Sequence, residues 1–554
     1  MSRKTEVERN EGDDTIAEEW GWKLGITEKK AFAGVVWMLP LASGFLLALL
    51  YYAAAPAILL FVALVPLFLF LDRCRTWESP LWGGFLAACP FYLANLLFLL
   101  EVRWFGFLSS EALFMQALYG VAAIAGGLLG ALFALTAYFL WRRHWTMLFV
   151  IPALWILFQE VLVRWVQFDL TWSYLGYLTE TITPVRQLAA LSGVVGLDFL
   201  IIWGNIAVVL TILAFQSDRQ RVTHFFTKIA PVIVLTLAGA GLLFWSYSRS
   251  AAGLREGEAI TVTVMNTEHG APVKSFYDEP YQGLLKEALG ESPDIILFPE
   301  SIFEVQHGDS ETSPEALSRQ LSDIAGNDFD GAILFGGYRS ELDGTLYNSF
   351  FLWEGGSITD IYDKRYLVPF AEYRPRYLER FSPQTITMYT PGSNERVLQG
   401  ASSPPMGVTI CQEVIYPESS REAVRQGAEL LVSGANDGFV DQVALLQKVA
   451  PTDVPWLYLL EHRIARFRAI EGGRYLVRST KIGTASIIAP DGSDVVRLTS
   501  GESSLETRDV ILREGFTPFV RFGSAPLMVF STVIVGFALS REGKSRMRLW
   551  SQKK

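Results

Sequence analysis

The pattern of hydrophobic and polar positions changes character near residue 250. Before it, long apolar runs alternate with short charged links; after it, short β-branched runs alternate with amphipathic stretches. A bilayer core about 30 Å thick is crossed by about 20 apolar residues in helix, because backbone polar groups must be satisfied within the segment. Runs near that length lie at 32–52, 56–71, 79–100, 112–141, 145–162, 187–215 and 227–248, with an eighth at 518–540. The second is short and Pro56 separates it from the first, which predicts a tight helical hairpin. So many runs in one half of the chain argue against the buried core helices of a soluble protein.

Lys and Arg in the links predict an orientation, since cytoplasmic loops are enriched in them. The N-terminal tail, the links holding Arg73 and Arg75, Arg142 and Arg143, and Arg219, Arg221 and Lys228, and the tail after residue 540 are the basic ones. With eight helices, all of these fall on one side. Both termini are therefore expected to be cytoplasmic and residues 250–515 to lie outside. The first 30 residues are polar and the first apolar run is of membrane length, so no cleavable signal peptide is expected.

From 250 onward the periodicity is that of an α/β protein. Strands are predicted at Ile260–Val264, Ile295–Phe298, Ala332–Phe335, Phe350–Trp353, Val408–Ile410, Leu430–Val432, Tyr475–Val477 and Ala485–Ile488. Helices are predicted near 279–290, 314–325, 418–428 and 459–472, and Pro490-Asp491-Gly492 predicts a hairpin turn. The expected organisation is a tail over 1–31, a seven-helix membrane domain over 32–248, an external α/β domain over 250–515, an eighth helix over 518–540 and a tail over 541–554.

Composition narrows the function. Hydrophobic residues make up 51% and charged residues 19%, against about 25% charge in soluble proteins, so an integral membrane protein is indicated. A net charge of −10 gives no reason to expect nucleic acid as a partner. Three widely separated cysteines exclude a disulfide scaffold, and none of the five histidines clusters into a metal site.

Three residues stand where chemistry is expected. Cys411 ends the apolar run Met406–Ile410 and precedes a predicted helix, a position at a sheet mouth where backbone N–H groups can favour a thiolate; a small buried hydrophobe is the alternative reading. Glu300 follows Ile295-Ile296-Leu297-Phe298-Pro299, and a carboxylate directly after a buried strand is desolvated toward a useful base. Lys364, in Tyr362-Asp363-Lys364, is an ammonium able to stabilise an oxyanion. Taken singly, Glu300 also fits a loop carboxylate and Lys364 a solvated lysine. Glu372 and Glu413 are further carboxylates beside two of these stretches, and ordinary ion pairing would also account for them.

Phe298-Pro299-Glu300-Ser301, Tyr362-Asp363-Lys364 followed by Leu367-Val368-Pro369-Phe370-Ala371-Glu372-Tyr373, and Cys411-Gln412-Glu413 together resemble the Glu–Lys–Cys signature of the nitrilase superfamily. The form of the lysine segment, joined to eight apolar runs, resembles the membrane-bound apolipoprotein N-acyltransferase family within it. So do Leu175-Gly176-Tyr177, Pro184, Gln187, Gly193 to Leu200 and Arg478-Ser479-Thr480. The resemblance implies a four-layer α–β–β–α sandwich beside the membrane helices, in the bacterial inner membrane. It implies that Glu300, Lys364 and Cys411 transfer a phospholipid acyl chain, through a thioester, to the terminal amine of a diacylated lipoprotein. Glu372 and Glu413 would support the triad by hydrogen bonding. No cofactor is implied, and a monomer is expected.

The chain departs from that family's pattern at several points. Gln412 replaces an aromatic residue after the cysteine, Phe298 a Trp, and Ala371 a Gly. Asn436-Asp437-Gly438-Phe439 lacks a Trp, the first strand ends Met265-Asn266-Thr267-Glu268-His269, and Lys481-Ile482-Gly483 stands for an Asn-Asn-Gly-like stretch. A membrane-tethered amidase and a catalytically inactive binding relative are the competing readings. The intact triad speaks against the second, and the lipid-embedded half against the first. Loop 371–396, with Arg374, Arg376 and Arg380, is expected to form an arm over the cleft.

Overall fold

The structure, a computed structural model, describes residues 29–52, 55–97, 110–142, 144–164, 172–216, 223, 227, 229–234, 241, 254–269, 272–306, 310–326, 329–376, 379–380, 387–393, 397–438, 456–499 and 502–551. The N-terminal half is helical: α1 (Lys29–Tyr51), α2 (Val65–Arg73), α3 (Glu78–Asn95), α4 (Ser110–Leu140), α5 (Met147–Leu157) and α6 (Ala189–Phe215). Small residues let α3 and α4 approach closely. A Cβ at Gly84 would lie 2.3 Å from the carbonyl oxygen of Gly130.

Among the described residues two helical spans, Leu113–Leu140 and Ala189–Phe215, are long and apolar enough to cross a membrane, and Val36–Tyr51, Met147–Leu162 and Ala525–Arg541 are shorter apolar helices. The run at 56–71 breaks into a 3₁₀ segment, Ala57–Phe61, and α2, which has Pro66 in its first turn. Asn205 of α6 satisfies the backbone at that break, accepting from the Leu64 amide at 2.8 Å and donating to the Leu60 carbonyl at 2.8 Å. The α1–α2 pair packs as a hairpin, with the Leu67 amide on Ser43 Oγ at 3.0 Å. Within the described part of the run at 79–100, α3 is 18 residues long, with Glu78 in its first turn. Most of the run at 227–248, the basic residues before Lys29, and Phe439 lie outside the described residues, as do 377–378, 381–386 and 394–396 of the expected arm.

Among the described residues the second half contains twelve strands: β1 (Arg255–Asn266), β2 (Ile295–Leu297), β3 (Phe303–Gln306), β4 (Ala332–Ser340), β5 (Leu346–Glu354), β6 (Ser357–Asp363), β7 (Met406–Ile410), β8 (Leu430–Ala435), β9 (Leu476–Thr480), β10 (Ala485–Ile488), β11 (Asp494–Leu498) and β12 (Ser504–Glu514). Pairings form two arrays, β12-β1-β2-β4-β5-β6 with β3 beside β4, and β7-β8-β9-β10-β11. They join at the single pair Asn266↔Thr480. Between them run α7 (Tyr281–Gly290), α8 (Pro314–Ala325), α9 (Pro417–Arg425) and α10 (Trp456–Gly472), followed by α11 (Pro518–Phe522) and α12 (Ala525–Ser551).

The period-2 alternation of strand side chains sorts the layers. Leu297, Leu334 and Phe350 of the first array share one core with Val408, Val432 and Val477 of the second, so the two sheets face each other. Their neighbours Ile296, Ile333 and Phe351 point the other way, onto α7 and α8. Leu431 and Leu476 point outward from the second array onto α9 and α10, in one continuous core with the N-terminal helices. The result is helix, sheet, sheet, helix, with the last layer resting on the bundle.

Ion pairs reinforce that junction. Glu180 receives Arg463 at 2.7 Å and Arg466 at 3.2 Å, Glu418 receives Arg164 at 2.9 Å, and Glu471 accepts the Val194 amide at 2.8 Å. Strands β3, β6, β11 and β12 were not among the predicted ones. The last pairs antiparallel with β1 along most of its length, but its sequence, SLETRDVILRE, is too charged to read as a strand.

Candidate active site

Glu300, Lys364 and Cys411 each stand just past the end of a strand. Pro299 carries the chain from β2 to Glu300, Lys364 follows β6 directly, and Cys411 follows β7 and opens a 3₁₀ turn, Cys411–Ile415. Two residues here adopt left-handed backbone, Ser301 at φ 53° and Cys411 at φ 52°. Non-glycine residues rarely do so outside sites that over-determine them. The Glu300 turn lies against β4, where the Gly336 amide donates to the Pro299 carbonyl at 3.0 Å. Only glycine allows that approach, because a Cβ at 336 would sit 2.6 Å from Glu300 Cα.

The side chains converge. Lys364 Nζ donates to Glu372 Oε1 at 2.9 Å and stands 3.6 Å from Glu300 Oε1. Asn348 of β5 spans the two carboxylates with one amide nitrogen, 2.7 Å from Glu300 Oε1 and 2.9 Å from Glu372 Oε1. The second oxygen of Glu372 accepts the Val368 amide at 2.8 Å. The Cys411 thiol and the Glu300 carboxylate lie close enough for each to shift the other's protonation. Lys364 is 1% exposed, Glu300 4% and Cys411 6%.

Burial dominates the electrostatics. Desolvation lifts the Glu300 carboxyl above its ordinary range, with the Lys364 charge opposing and Glu372 assisting. Burial works to lower Lys364, but Glu372, Glu300 and Cys411 together hold its ammonium well above the ordinary lysine range. The Cys411 thiol is pushed well up by burial and by Glu300, with Lys364 pulling it down. The expectation that its position favours a thiolate is therefore replaced by a protonated thiol beside a carboxylate whose own affinity for protons is raised.

Glu413 is occupied differently. Its carboxylate accepts the amides of Ile410 at 2.8 Å, Arg365 at 2.7 Å and Tyr366 at 3.2 Å, and the Tyr362 hydroxyl at 3.0 Å. It fastens the cysteine turn to the lysine loop and does not contact Lys364 Nζ. Gln412 is buried and donates to the Tyr416 hydroxyl at 3.3 Å. The lysine loop also meets the bundle, where Phe370 packs edge-on to Phe114 of α4 at 5.4 Å between centroids.

Three nearby residues, Asn348, Arg478 and Lys481, were given no role from sequence. Asn348 carried one signal, an amide inside an aromatic strand where Asn is depleted. Arg478 bonds Ser433, Asp437 and Glu461, all buried, and sits close enough to the thiol for these two carboxylates to raise it. Lys481 places Nζ on the Ser301 carbonyl at 3.0 Å. No group of three or more His, Cys, Asp or Glu side chains among the described residues could hold a metal ion.

Comparison with known proteins adds two families. Residues 281–514 match the carbon–nitrogen hydrolases and residues 43–207 the apolipoprotein N-acyltransferase N-terminal domain. The apolipoprotein N-acyltransferase of Pasteurella multocida is 25% identical over 488 residues, covering 84% of this chain and 88% of its own length. That of Vibrio vulnificus is 25% identical over 531 residues, covering 91% and 97%. Among solved structures, a nitrilase-superfamily protein of Saccharomyces cerevisiae matches at 18% identity over 46% of this chain and 91% of its own, with a TM-score of 0.35.

Proposed function

The chain belongs to the apolipoprotein N-acyltransferase family, and from that premise we propose that it transfers a fatty acyl chain from a phospholipid to the terminal amine of a diacylated lipoprotein. The observation that carries the chemistry is the convergence of three buried side chains, with the Lys364 ammonium 3.6 Å from the Glu300 carboxylate and the Cys411 thiol in the field of both.

Glu300 takes the Cys411 proton as sulfur attacks the ester carbonyl of the phospholipid. The new C–S bond leaves an oxyanion beside Lys364. A single well-placed donor of this kind is worth about 10²–10³ in rate. Collapse breaks the C–O bond, and the leaving lysophospholipid oxygen takes the proton back from Glu300, so a thioester remains on Cys411. In the second half the lipoprotein's α-amine attacks that thioester. Glu300 removes the amine proton and returns it to the departing sulfur, giving the amide and restoring the thiol. Glu372 holds Lys364 in place through both halves, and Glu413 holds the two loops together.

The lysine loop's contact with α4 supports acyl delivery from the apolar bundle, and a dry site favours the amine over water. In this reading the chain spans the bacterial inner membrane eight times. The termini are cytoplasmic, residues 250–515 face the periplasm, and one chain supplies every group of the site. Purified protein given phospholipid with a labelled acyl chain and a diacylated lipopeptide should form labelled triacylated lipopeptide. Label appearing only as free fatty acid would overturn transfer in favour of hydrolysis.

A further inference from the structure

Lys481 follows β9 directly and is 0% exposed. Its amide is fixed on the Ala435 carbonyl at 2.9 Å, and Nζ donates to the Ser301 carbonyl at 3.0 Å. Among the described residues it forms no ion pair. A buried ammonium without an adjacent anion is expensive, so its charge calls for a reason. Burial indeed lowers it to about 8, opposed by Glu300 nearby.

The surroundings supply that reason. The carbonyl it holds belongs to Ser301, in left-handed backbone and next to Glu300. Around the thiol, Glu300 and Glu372 share one cation, Lys364, and Asp437 and Glu461 share one, Arg478. Each set has more carboxylates than cations, and Lys481 is a further positive charge on the Glu300 side. Glu300 itself faces Lys364 and Glu372 from the lysine loop, Cys411 from the turn after β7 and Asn348 from β5. The phenols of Tyr338 and Tyr389 also feel its charge.

We propose that Lys481 is a positioning residue for Glu300: it pins the strained Ser301 carbonyl and supplies a second positive charge that keeps the carboxylate able to take the thiol proton. The role deepens the acyl-transfer reading and rests on it only for the identity of the acyl group.

The test is therefore placed on the thiol itself. In a Cys74→Ser/Cys89→Ser background, Cys411 is the one remaining thiol, and its alkylation by iodoacetamide is followed from acid to alkaline pH. Lys481→Met removes charge and bond; Lys481→Gln keeps a donor without the charge. Both should move the acidic midpoint of alkylation up by about one pH unit, and Met alone should lower the plateau rate by about tenfold. An acidic midpoint unchanged within about 0.2 unit in a folded variant overturns the proposal; if the Met variant fails to fold, the Gln variant decides. Cys411 acylation by phospholipid micelles, read by intact mass, should show a lower kcat with KM unchanged. Wild-type protein that alkylates normally but takes no acyl group would sink the transfer reading and leave the Lys481 result standing.

Discussion

The Glu413 carboxylate accepts the Arg365 amide at 2.7 Å, and through that bond the turn bearing Cys411 and the loop bearing Lys364 behave as one piece. Glu413→Ala would leave buried donors of both segments unpaired. We expect a loss of roughly 3 kcal/mol in unfolding free energy, read by chemical denaturation, together with slower Cys411 alkylation. Glu413→Gln should fall between, because its amide oxygen replaces only part of the acceptor capacity. Equal stability of Glu413→Ala and wild type would remove this residue from the framework.

Glu300 gives a pH prediction of definite sign. Burial raises its carboxyl on folding, so the protonated form persists above the usual carboxylate range and cannot accept the thiol proton there. The acidic midpoint of Cys411 acylation should therefore lie above about 4.3, the ordinary glutamate value. For stability, a raised folded-state pKa contributes fully below the unfolded value and is lost as pH rises through the folded one. At neutral pH Glu300→Gln should thus melt no lower than wild type while its acylation rate collapses. A marked fall in melting temperature for that variant would contradict the assignment.

Asn348 keeps two carboxylates on one nitrogen. Asn348→Asp would replace that donor by a third negative charge. Acylation should fall by about 100-fold, a cost of roughly 2.7 kcal/mol in the barrier, with the acidic midpoint displaced upward. Single-turnover kinetics across pH would check both, and a normal profile would show that the bridge is dispensable.

Cys411→Ser should end turnover, since a hydroxyl is a weaker nucleophile here and its ester a poorer acyl donor. Intact mass should then show no transferable adduct, whereas wild type incubated with phospholipid and no acceptor should gain one acyl group. Turnover by the serine variant would argue against a covalent route.

The four predicted helices of the α/β half lie within a few residues of α7 to α10, because each has a clear apolar stripe. Glu300, Lys364, Glu372 and Cys411 were legible because each sits at a chain position, just past an apolar run or in a dense motif, that exposes its purpose. Strand β12 was hidden by Glu506, Arg508 and Asp509 on a half-exposed edge. Asn348, Lys481 and the Arg478 cluster were hidden because their meaning depends on what other strands bring to them. The break at 56–71 was marked by Pro56 and Pro66, but only α6 reveals that Asn205 makes it tolerable.

Leu431, Leu476 and Ile470 belong to the same apolar mass as Ile151, Leu197 and Ile206 of the bundle. The sandwich is therefore unfinished without its pedestal. Excising residues 250–515 as a stand-alone enzyme would lay bare an oily face meant for α6, and the fragment should precipitate unless detergent or a redesigned polar surface takes the missing half's place.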